Sequence, residues 1–388
     1  MLNFNYDIGT KIFFGEGQVA KLPVEICEYT NQLLLVYGGG SIKKNGIYDT
    51  VVDLLKRYGI SFVELAGVEP NPRIETVERG IALCREHGLG GILAIGGGSS
   101  IDCAKAIAGG VFIDTDAWTM VKNPLLIQKA LPVFSILTLA ATGSEMDNCG
   151  VISNMKTKEK IGLKHPLLLP KASVLDPTYT FSVPPYHTAA GTADIMSHTF
   201  ENYFSIHTGG YLQDRMAEGI LKTCIHYGPI AVENGNDYEA RANLMWSSSL
   251  AINGLIALGK SCPWSVHSME HQLSAYYDLT HGVGLAILTP AWMRYILSEK
   301  TVDKFVEYGV NVWDIDRNLD KMSIAKLAIE KTQDFFVKEL KIPATLREVG
   351  IDETYFDEMA EHAATASLLK AFVPLSKEDV KKIYQMCL

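Results

Sequence analysis

Twice in the first hundred residues, a short aliphatic run ends in three consecutive glycines. The runs, residues 33–37 (LLLVY) and 92–95 (ILAI), each predict a buried β-strand. Glycines after a strand let backbone N–H groups approach a phosphate, and the N-terminus of a following helix favours its charge. Neither turn matches G-x-G-x-x-G, so nucleotide binding is inferred from the α/β context, with tight turns lacking a ligand as the alternative. The turns are Gly38, Gly39, Gly40 and Ser41, and then Gly96, Gly97, Gly98, Ser99 and Ser100.

The first half of the chain alternates strand and helix patterns. Further strands are predicted at residues 61–65 and 133–137, and helices at 48–58 and 74–87. This rhythm indicates a mostly parallel, Rossmann-like sheet with helices on both faces. Three prolines within residues 174–186 mark a boundary. We therefore predict an α/β dinucleotide-binding domain at residues 1–182.

The second half loses this alternation and shows helical patterns alone. They cover residues 187–204, 212–227, 238–258, 291–308, 323–340 and 354–364. We predict an all-α domain at residues 183–388. The histidines described next make it the candidate metal- and substrate-binding domain.

Histidines cluster in this second half. His267 and His271 are four residues apart, so on a helix they share one face, and His281 follows after a short polar break. Asp194 and His198 repeat the same spacing upstream. One carboxylate with imidazoles suits Fe²⁺, Zn²⁺ or Mn²⁺. The cluster predicts a metal site or a proton relay, and chance clustering is the alternative.

Composition bears on partners and compartment. A net charge of −9 argues against sequence-independent binding to nucleic acid or to an anionic membrane. The seven cysteines form no CxxC pair, which is typical of a reducing cytosol. Neither a signal peptide nor an apolar run long enough to span a membrane is visible. We expect a cytoplasmic protein.

The motifs taken together resemble the iron-containing alcohol dehydrogenase family, specifically its butanol dehydrogenase-like branch. They extend over essentially the whole chain: YGGGSIKKNGIY, GVEPNPR, AIGGGSSIDCAKA, TGSEMD, TAAGTADIMSHTFENYF and HSMEHQLSAYYDLTHGVGLAI. The resemblance implies a dehydroquinate synthase-like architecture. It also implies that the metal ligands are Asp194, His198, His267 and His281, with His271 beside the metal as a non-ligand near the substrate.

Cofactor contacts are expected from both glycine turns and from polar residues near them. Lys160 matches a family position that approaches the cofactor ribose, and the hydroxyl-rich loop after residues 133–137 offers further hydrogen bonds. We add to the two turns Asn71, Asp102, Thr138, Thr142, Ser144 and Lys160.

The family implies a metal-dependent, NAD(P)H-linked alcohol dehydrogenase or aldehyde reductase. Hydride would pass between the nicotinamide and a short- or medium-chain primary alcohol or aldehyde, such as butanol or butanal. One alternative is a lyase of the dehydroquinate synthase type. Such a lyase should carry Lys and Arg near the metal, and the segments around Asp194 and His267 have neither. A non-catalytic nucleotide- or metal-binding module is the other alternative.

Finer properties follow from single residues. The resemblance implies that an acidic residue in the first glycine turn would contact the adenosine ribose and repel a 2′-phosphate. Here the turn has no acid, and Lys43 and Lys44 follow it, which predicts NADP(H) over NAD(H). Fe²⁺ is the expected metal, with Zn²⁺ and Mn²⁺ as alternatives. His271 is predicted to pass a proton to or from the substrate oxygen, the alternatives being support of a ligand or simple helix packing.

The first residues predict an oligomer. Residues 3–14 have a strand-forming pattern that would leave an apolar edge. Pairing between two chains would cover it, so we expect at least a homodimer.

Overall fold

The computed structural model describes residues 1–206 and 209–388, and these residues form two compact units. The sheet unit contains Asp7–Val183 and Gly235–Ser249. The helical unit contains Met1–Tyr6, Pro184–Asn234 and Leu250–Leu388. The domain boundary between residues 182 and 183 stays a prediction. The compact units differ from it in two segments: Met1–Tyr6 belongs to the helical unit, and Gly235–Ser249 belongs to the sheet unit.

The strands of the sheet unit are β1 (Lys11–Phe14), β2 (Gln32–Tyr37), β3 (Ser61–Leu65), β4 (Gly91–Gly96), β5 (Val133–Leu137), β6 (Cys149–Asn154), β7 (Glu159–Lys164) and β8 (Ala172–Leu175). Six of them form a parallel sheet in the order β1-β8-β5-β4-β2-β3. Strands β6 and β7 form a separate antiparallel pair. The strands predicted at residues 33–37, 61–65, 92–95 and 133–137 are all present, and the mostly parallel sheet is confirmed.

Both faces of the sheet are buried because alternate side chains of one strand enter different cores. Leu34 and Val36 of β2 pack in one core, whereas Leu33 and Leu35 pack in the other. A continuous aliphatic run is therefore what this strand requires. The helices of this half are α1 (Leu22–Cys27), α2 (Ser41–Lys44), α3 (Ile47–Arg57), α4 (Ile74–His87), α5 (Gly98–Gly110) and α6 (Ala117–Lys122).

The strand order brings the two glycine turns side by side. From β2 the chain continues to β3 on one side, and it later returns to β4 on the other side of β2. In an open parallel sheet, ligands bind at the carboxyl ends of the strands where the order reverses in this way. Residues 38–41 follow β2 and residues 96–100 follow β4, so both turns lie at this point.

The second half of the chain is helical, as predicted. Most of α9 groups with the sheet unit, and the other helices belong to the helical unit. Within the described ranges, none of the helices combines the length and the hydropathy that a bilayer crossing requires. The helices are α7 (Pro185–Tyr203), α8 (Tyr211–Glu233), α9 (Tyr238–Ile252), α10 (Ser265–Tyr277), α11 (His281–Ile296), α12 (Val302–Trp313), α13 (Lys321–Asp334), α14 (Phe356–Ala363) and α15 (Lys377–Met386).

One helix prediction is wrong: residues 291–308 are not a single helix. Helix α11 ends at Ile296 and α12 begins at Val302. The Thr301 hydroxyl donates to the Ile296 carbonyl at 2.7 Å and accepts from the Ser298 N–H at 2.9 Å. Such side-chain bonds compete with the helical pattern and stop it. Two other predicted helices end early: 238–258 ends at Ile252, and 323–340 changes to a π-helix at Phe335–Glu339.

The N-terminal strand is shorter than predicted. Only Lys11–Phe14 is extended, and it pairs in parallel with β8 of the same chain. Residues 3–10 lie outside any strand. Strand β1 is nevertheless at the edge of the sheet.

Candidate active site

Three helices carry the clustered histidines. Asp194 and His198 lie on α7, His267 and His271 on α10, and His281 is the first residue of α11. Helix α10 stops because Asp278 takes a left-handed conformation with φ of 53°. This stop lets the chain turn and start α11 at His281.

Helices α7 and α11 touch through their backbones. A Cβ placed on Gly282 would lie 1.9 Å from the Ala190 carbonyl oxygen, so only glycine fits there. The close approach brings His281, the neighbour of Gly282, next to the helix that carries Asp194.

Three imidazoles converge on one carboxylate oxygen. The Nε2 atoms of His198, His281 and His267 lie 3.5, 3.7 and 3.8 Å from Asp194 Oδ1. The His198 and His267 rings stack with centroids 4.7 Å apart. Asp194, His198 and His267 are buried, and His281 is partly exposed. The structure thus brings together all four residues that the sequence suggested as ligands.

The donor atoms of this cluster fit a divalent cation. Within the described part of the chain, Asp194 Oδ1 and His267 Nε2 are buried without a hydrogen bond. Buried polar atoms normally have a partner, and leaving them without one is unfavourable. A carboxylate oxygen facing imidazole nitrogens supplies the ligand types that Fe²⁺, Zn²⁺ and Mn²⁺ accept.

Two buried glutamates, which the sequence analysis missed, orient His267 and His281. His267 Nδ1 lies 3.2 Å from Glu201 Oε1, and His281 Nδ1 bonds to Glu270. Glu201 also accepts the backbone N–H groups of Ser265 and His267 at 2.7 and 2.9 Å. A carboxylate on one imidazole nitrogen directs the other towards a metal.

A sequence signal for these glutamates exists. Glu201 follows His198, and Glu270 follows His267, with the same H-x-x-E spacing. The pairing nevertheless crosses between helices, since Glu201 serves His267 and Glu270 serves His281. Spacing alone assigns each glutamate to the wrong histidine.

The electrostatics of the cluster keep one histidine neutral and favour protonation of another. Burial lowers the pKa of His198 to about 4, so this ring is neutral at pH 7. Burial also opposes the charge on His267, but Asp194 and Glu201 overcome it and raise its pKa to about 9. A cation binding at the His267 nitrogen must displace that proton, which makes affinity dependent on pH.

His271 lies beside the four residues. Its ring centroid is 5.7 Å from that of His281 and 6.4 Å from that of His267, and the side chain is partly exposed. Together with Glu270 and His281 it also offers three potential ligand atoms within 4.8 Å of one another. The geometry therefore places His271 at the site, and its role as a proton donor stays a prediction.

The glycine turns of the sheet unit differ in what they permit. A Cβ on Gly98 would lie 2.2 Å from the Thr142 hydroxyl, and one on Gly96 would lie 2.4 Å from the Ser100 hydroxyl. Gly39, in contrast, has open space around it. The Thr138 N–H donates to the Gly96 carbonyl at 3.0 Å, which brings the hydroxyl-rich loop after residues 133–137 next to the second glycine turn.

Several predicted cofactor residues make contacts within the protein. The buried carboxylate of Asp102 accepts the Ser144 hydroxyl at 2.5 Å and the Val151 N–H at 2.9 Å. Burial raises its pKa to about 6. Lys160 is buried on β7, and Asn71 is partly exposed. Cofactor contacts of these residues stay predictions.

Comparisons with known proteins agree with this architecture. Residues 9–177 match the family model described as iron-containing alcohol dehydrogenase, and residues 188–388 match its C-terminal counterpart. The chain is 59% identical to NADH-dependent butanol dehydrogenase A of Clostridium acetobutylicum, over 99% of both chains. It is 38% identical to the NADPH-dependent aldehyde reductase YqhD of Escherichia coli, over 94% of this chain and 95% of the relative.

A solved structure shares the fold along the full length. The crystal structure of NADH-dependent butanol dehydrogenase A from Thermotoga maritima matches with a TM-score of 0.94 at 37% identity. The match covers 100% of this chain and 99% of the other.

Proposed function

Because the chain belongs to the iron-containing alcohol dehydrogenase family, we propose that short- or medium-chain primary alcohols and their aldehydes, such as butanol and butanal, are its substrates. It is a metal-dependent oxidoreductase that uses NAD(P)H in alcohol oxidation or aldehyde reduction. Dehydrogenase membership excludes the lyase and the non-catalytic module as main functions. The substrate range is supported by the names of the relatives.

The proposed metal ligands are Asp194, His198, His267 and His281, with Fe²⁺ as the expected ion. The observation that carries this proposal is the convergence of three Nε2 atoms on Asp194 Oδ1 at distances too long for hydrogen bonds. Glu201 and Glu270 accept from Nδ1 of His267 and His281. These bonds orient each ring with Nε2 towards the metal position and favour the tautomer that carries its proton on Nδ1.

The reaction needs Lewis acidity and a hydride, which the metal and the nicotinamide supply when bound. The residues of the chain bind, orient and exchange a proton. The N-terminus of α5, at Gly98, offers N–H groups and a favourable dipole to the pyrophosphate. His271 gives a proton to the substrate oxygen during reduction and accepts one during oxidation.

For the cofactor, we propose that NADH is preferred and that NADPH is accepted. The sequence predicted the opposite preference from Lys43 and Lys44, and support for that prediction is mixed. The relative at 59% identity is named NADH-dependent, whereas the one at 38% is named NADPH-dependent. In addition, Lys43 is paired with a carboxylate, Glu64, at 3.1 Å.

We also propose a homodimer or a larger homo-oligomer in the cytoplasm. Apolar side chains before the edge strand β1 are exposed, and a second chain would cover them: Met1, Leu2, Phe4 and Tyr6. The reduced cytoplasm suits seven scattered cysteines. Light scattering that gives a monomer at micromolar concentration would reject the oligomer.

The test of function is a metal-loading assay. Protein stripped with a chelator and reloaded with Fe²⁺, Zn²⁺ or Mn²⁺ is mixed with butanal and NADH or NADPH, and nicotinamide absorbance is followed. We expect turnover only after reloading. Rapid turnover of the stripped protein would refute metal dependence. Turnover of long-chain aldehydes without turnover of any short- or medium-chain aldehyde would refute the substrate range.

A further inference from the structure

The side chain of Lys43 is held against a carboxylate at the end of the sheet that carries the first glycine turn. Its Nζ lies 3.1 Å from Glu64 Oε2 and sits over the rings of Tyr48 and Tyr37, 4.4 and 5.0 Å from their centroids. The hydroxyls of Tyr37 and Tyr48 both donate to Glu64. Four separate elements, β2, α2, α3 and β3, therefore meet at one carboxylate.

The two tyrosines hold the Lys43–Glu64 ion pair in one place, unlike an ion pair between two mobile surface side chains. Tyr37 is buried, and its bond to Glu64 fixes the carboxylate in front of Lys43. Burial alone would raise the pKa of Glu64, but the bonds from Tyr37, Tyr48 and Lys43 lower it. The carboxylate is thus ionised at neutral pH and cancels the charge of Lys43.

The location connects this pair to the cofactor. Lys43 follows Ser41 of the first glycine turn by two residues, at the carboxyl end of β2, where the strand order reverses. Glu64 stands on β3, in register with Leu35 of β2. In doubly wound sheets the dinucleotide lies where the strand order reverses, and an acidic or basic side chain nearby contacts the 2′-position of the adenosine ribose, which carries the extra phosphate of NADP(H).

We propose that Glu64 is a specificity-determining residue, which discriminates against a 2′-phosphate by neutralising Lys43. With Glu64 present, the two charges sum to zero, so no net positive charge faces a 2′-phosphate. Without the Glu64 charge, Lys43 becomes an uncompensated cation beside the ribose, and a phosphate monoester is its natural partner. This inference rests on the proposed use of a nicotinamide dinucleotide.

The experiment is a double-mutant cycle on the metal-loaded enzyme with Glu64→Gln, Lys43→Gln and both together. The measured quantity is the ratio of kcat/KM for NADPH to that for NADH. Glu64→Gln should raise the ratio about 1.5-fold to fivefold, the range expected for one partly exposed charge. The rise should shrink with added salt. Adding Lys43→Gln should return the ratio close to that of the wild type.

A matched control removes an equal charge elsewhere in the sheet unit. Glu86, near the end of α4, is exposed, and Glu86→Gln should leave the ratio unchanged. A Glu64→Gln ratio that equals the control, or a rise that survives loss of Lys43, overturns the proposal. If Glu64→Gln does not fold, Lys43→Gln alone leaves the Glu64 carboxylate without its cation and should lower the ratio, and an unchanged ratio there also overturns the proposal.

Failure of this inference and failure of the proposed function are separable. A wild type that prefers NADPH refutes the proposed NADH preference but leaves the effect of Glu64 measurable as a change in ratio. If no aldehyde is turned over, the dissociation constants of NAD⁺ and NADP⁺ replace kcat/KM in the same cycle. Equal changes for both cofactors would then overturn the role of Glu64.

Discussion

Replacing Glu201 with glutamine should weaken metal binding without removing any proposed ligand. The carboxylate accepts three bonds, one from His267 Nδ1 and two from the backbone N–H groups of Ser265 and His267. Both oxygens are used, since Ser265 reaches Oε2 and His267 reaches Oε1. Glutamine has one oxygen and one NH₂ group, so one of these donors loses its acceptor.

The size of the effect follows from the bond that is weakened. Hydrogen bonds to a charged group contribute about 1.5–3 kcal/mol. Residues that orient a metal-bound histidine alter metal affinity about 10- to 100-fold, which corresponds to roughly 1.4–2.7 kcal/mol. The two ranges agree. We expect the lower end, about tenfold, because the amide oxygen of glutamine can still accept from His267.

Competition with a chromophoric chelator measures the dissociation constant for Zn²⁺ in the stripped protein. The Trp264 ring lies 4.8 Å from that of His267, so its fluorescence offers a second readout. Glu218→Gln is the control, because Glu218 is also a buried carboxylate and bonds to Tyr203, Arg215 and Asn311. A dissociation constant for Glu201→Gln within about twofold of the control would refute the orienting role.

Four further predictions concern other groups. His271→Ala should keep the metal but lose roughly 100-fold in kcat and the acidic limb of the pH profile for alcohol oxidation; normal turnover would make His271 structural, and loss of metal would make it a ligand. His267→Ala should lower metal content and activity together, and full occupancy by elemental analysis would remove it from the ligand set. Gly39→Asp has open space for its side chain and should shift cofactor preference towards NAD(H), so an unchanged kcat/KM ratio contradicts it. Burial raises the pKa of Glu145 from 4.5 to about 7, so the stability that this group contributes is present below about pH 4.5 and lost as the pH rises through 7. Glu145→Gln, which stays neutral, should therefore raise Tm relative to the wild type more at pH 8 than at pH 5, and equal differences at both pH values would refute this.

Periodicity and spacing predicted the parts of the fold that depend on neighbours along the chain. Local sequence alone was enough to predict the strands before each glycine turn. It was also enough to recognise the four-residue spacings Asp194–His198 and His267–His271. The break between α11 and α12 depends on side-chain bonds of Ser298 and Thr301, which compete with a helical pattern that is otherwise continuous.

Features that depend on distant pairing were not visible. Lys43 looked like a free cation in the sequence, because Glu64 lies 21 residues away on another strand. In the same way, Glu201 reaches a histidine 66 residues further along, across two helices. Charge patterns near a motif therefore describe a site only after the partners from other elements are known.

The backbone contact at Gly282 has a consequence for how this site can be diversified. Single substitutions can exchange each ligand side chain for another donor, and selection can sample many such exchanges. A side chain at Gly282, however, would push α11 away from the Ala190 carbonyl and shift His281 with it. A library aimed at accepting a different ion is therefore best built with residue 282 held as glycine, so that every member inherits the same helix spacing and only the donor chemistry varies.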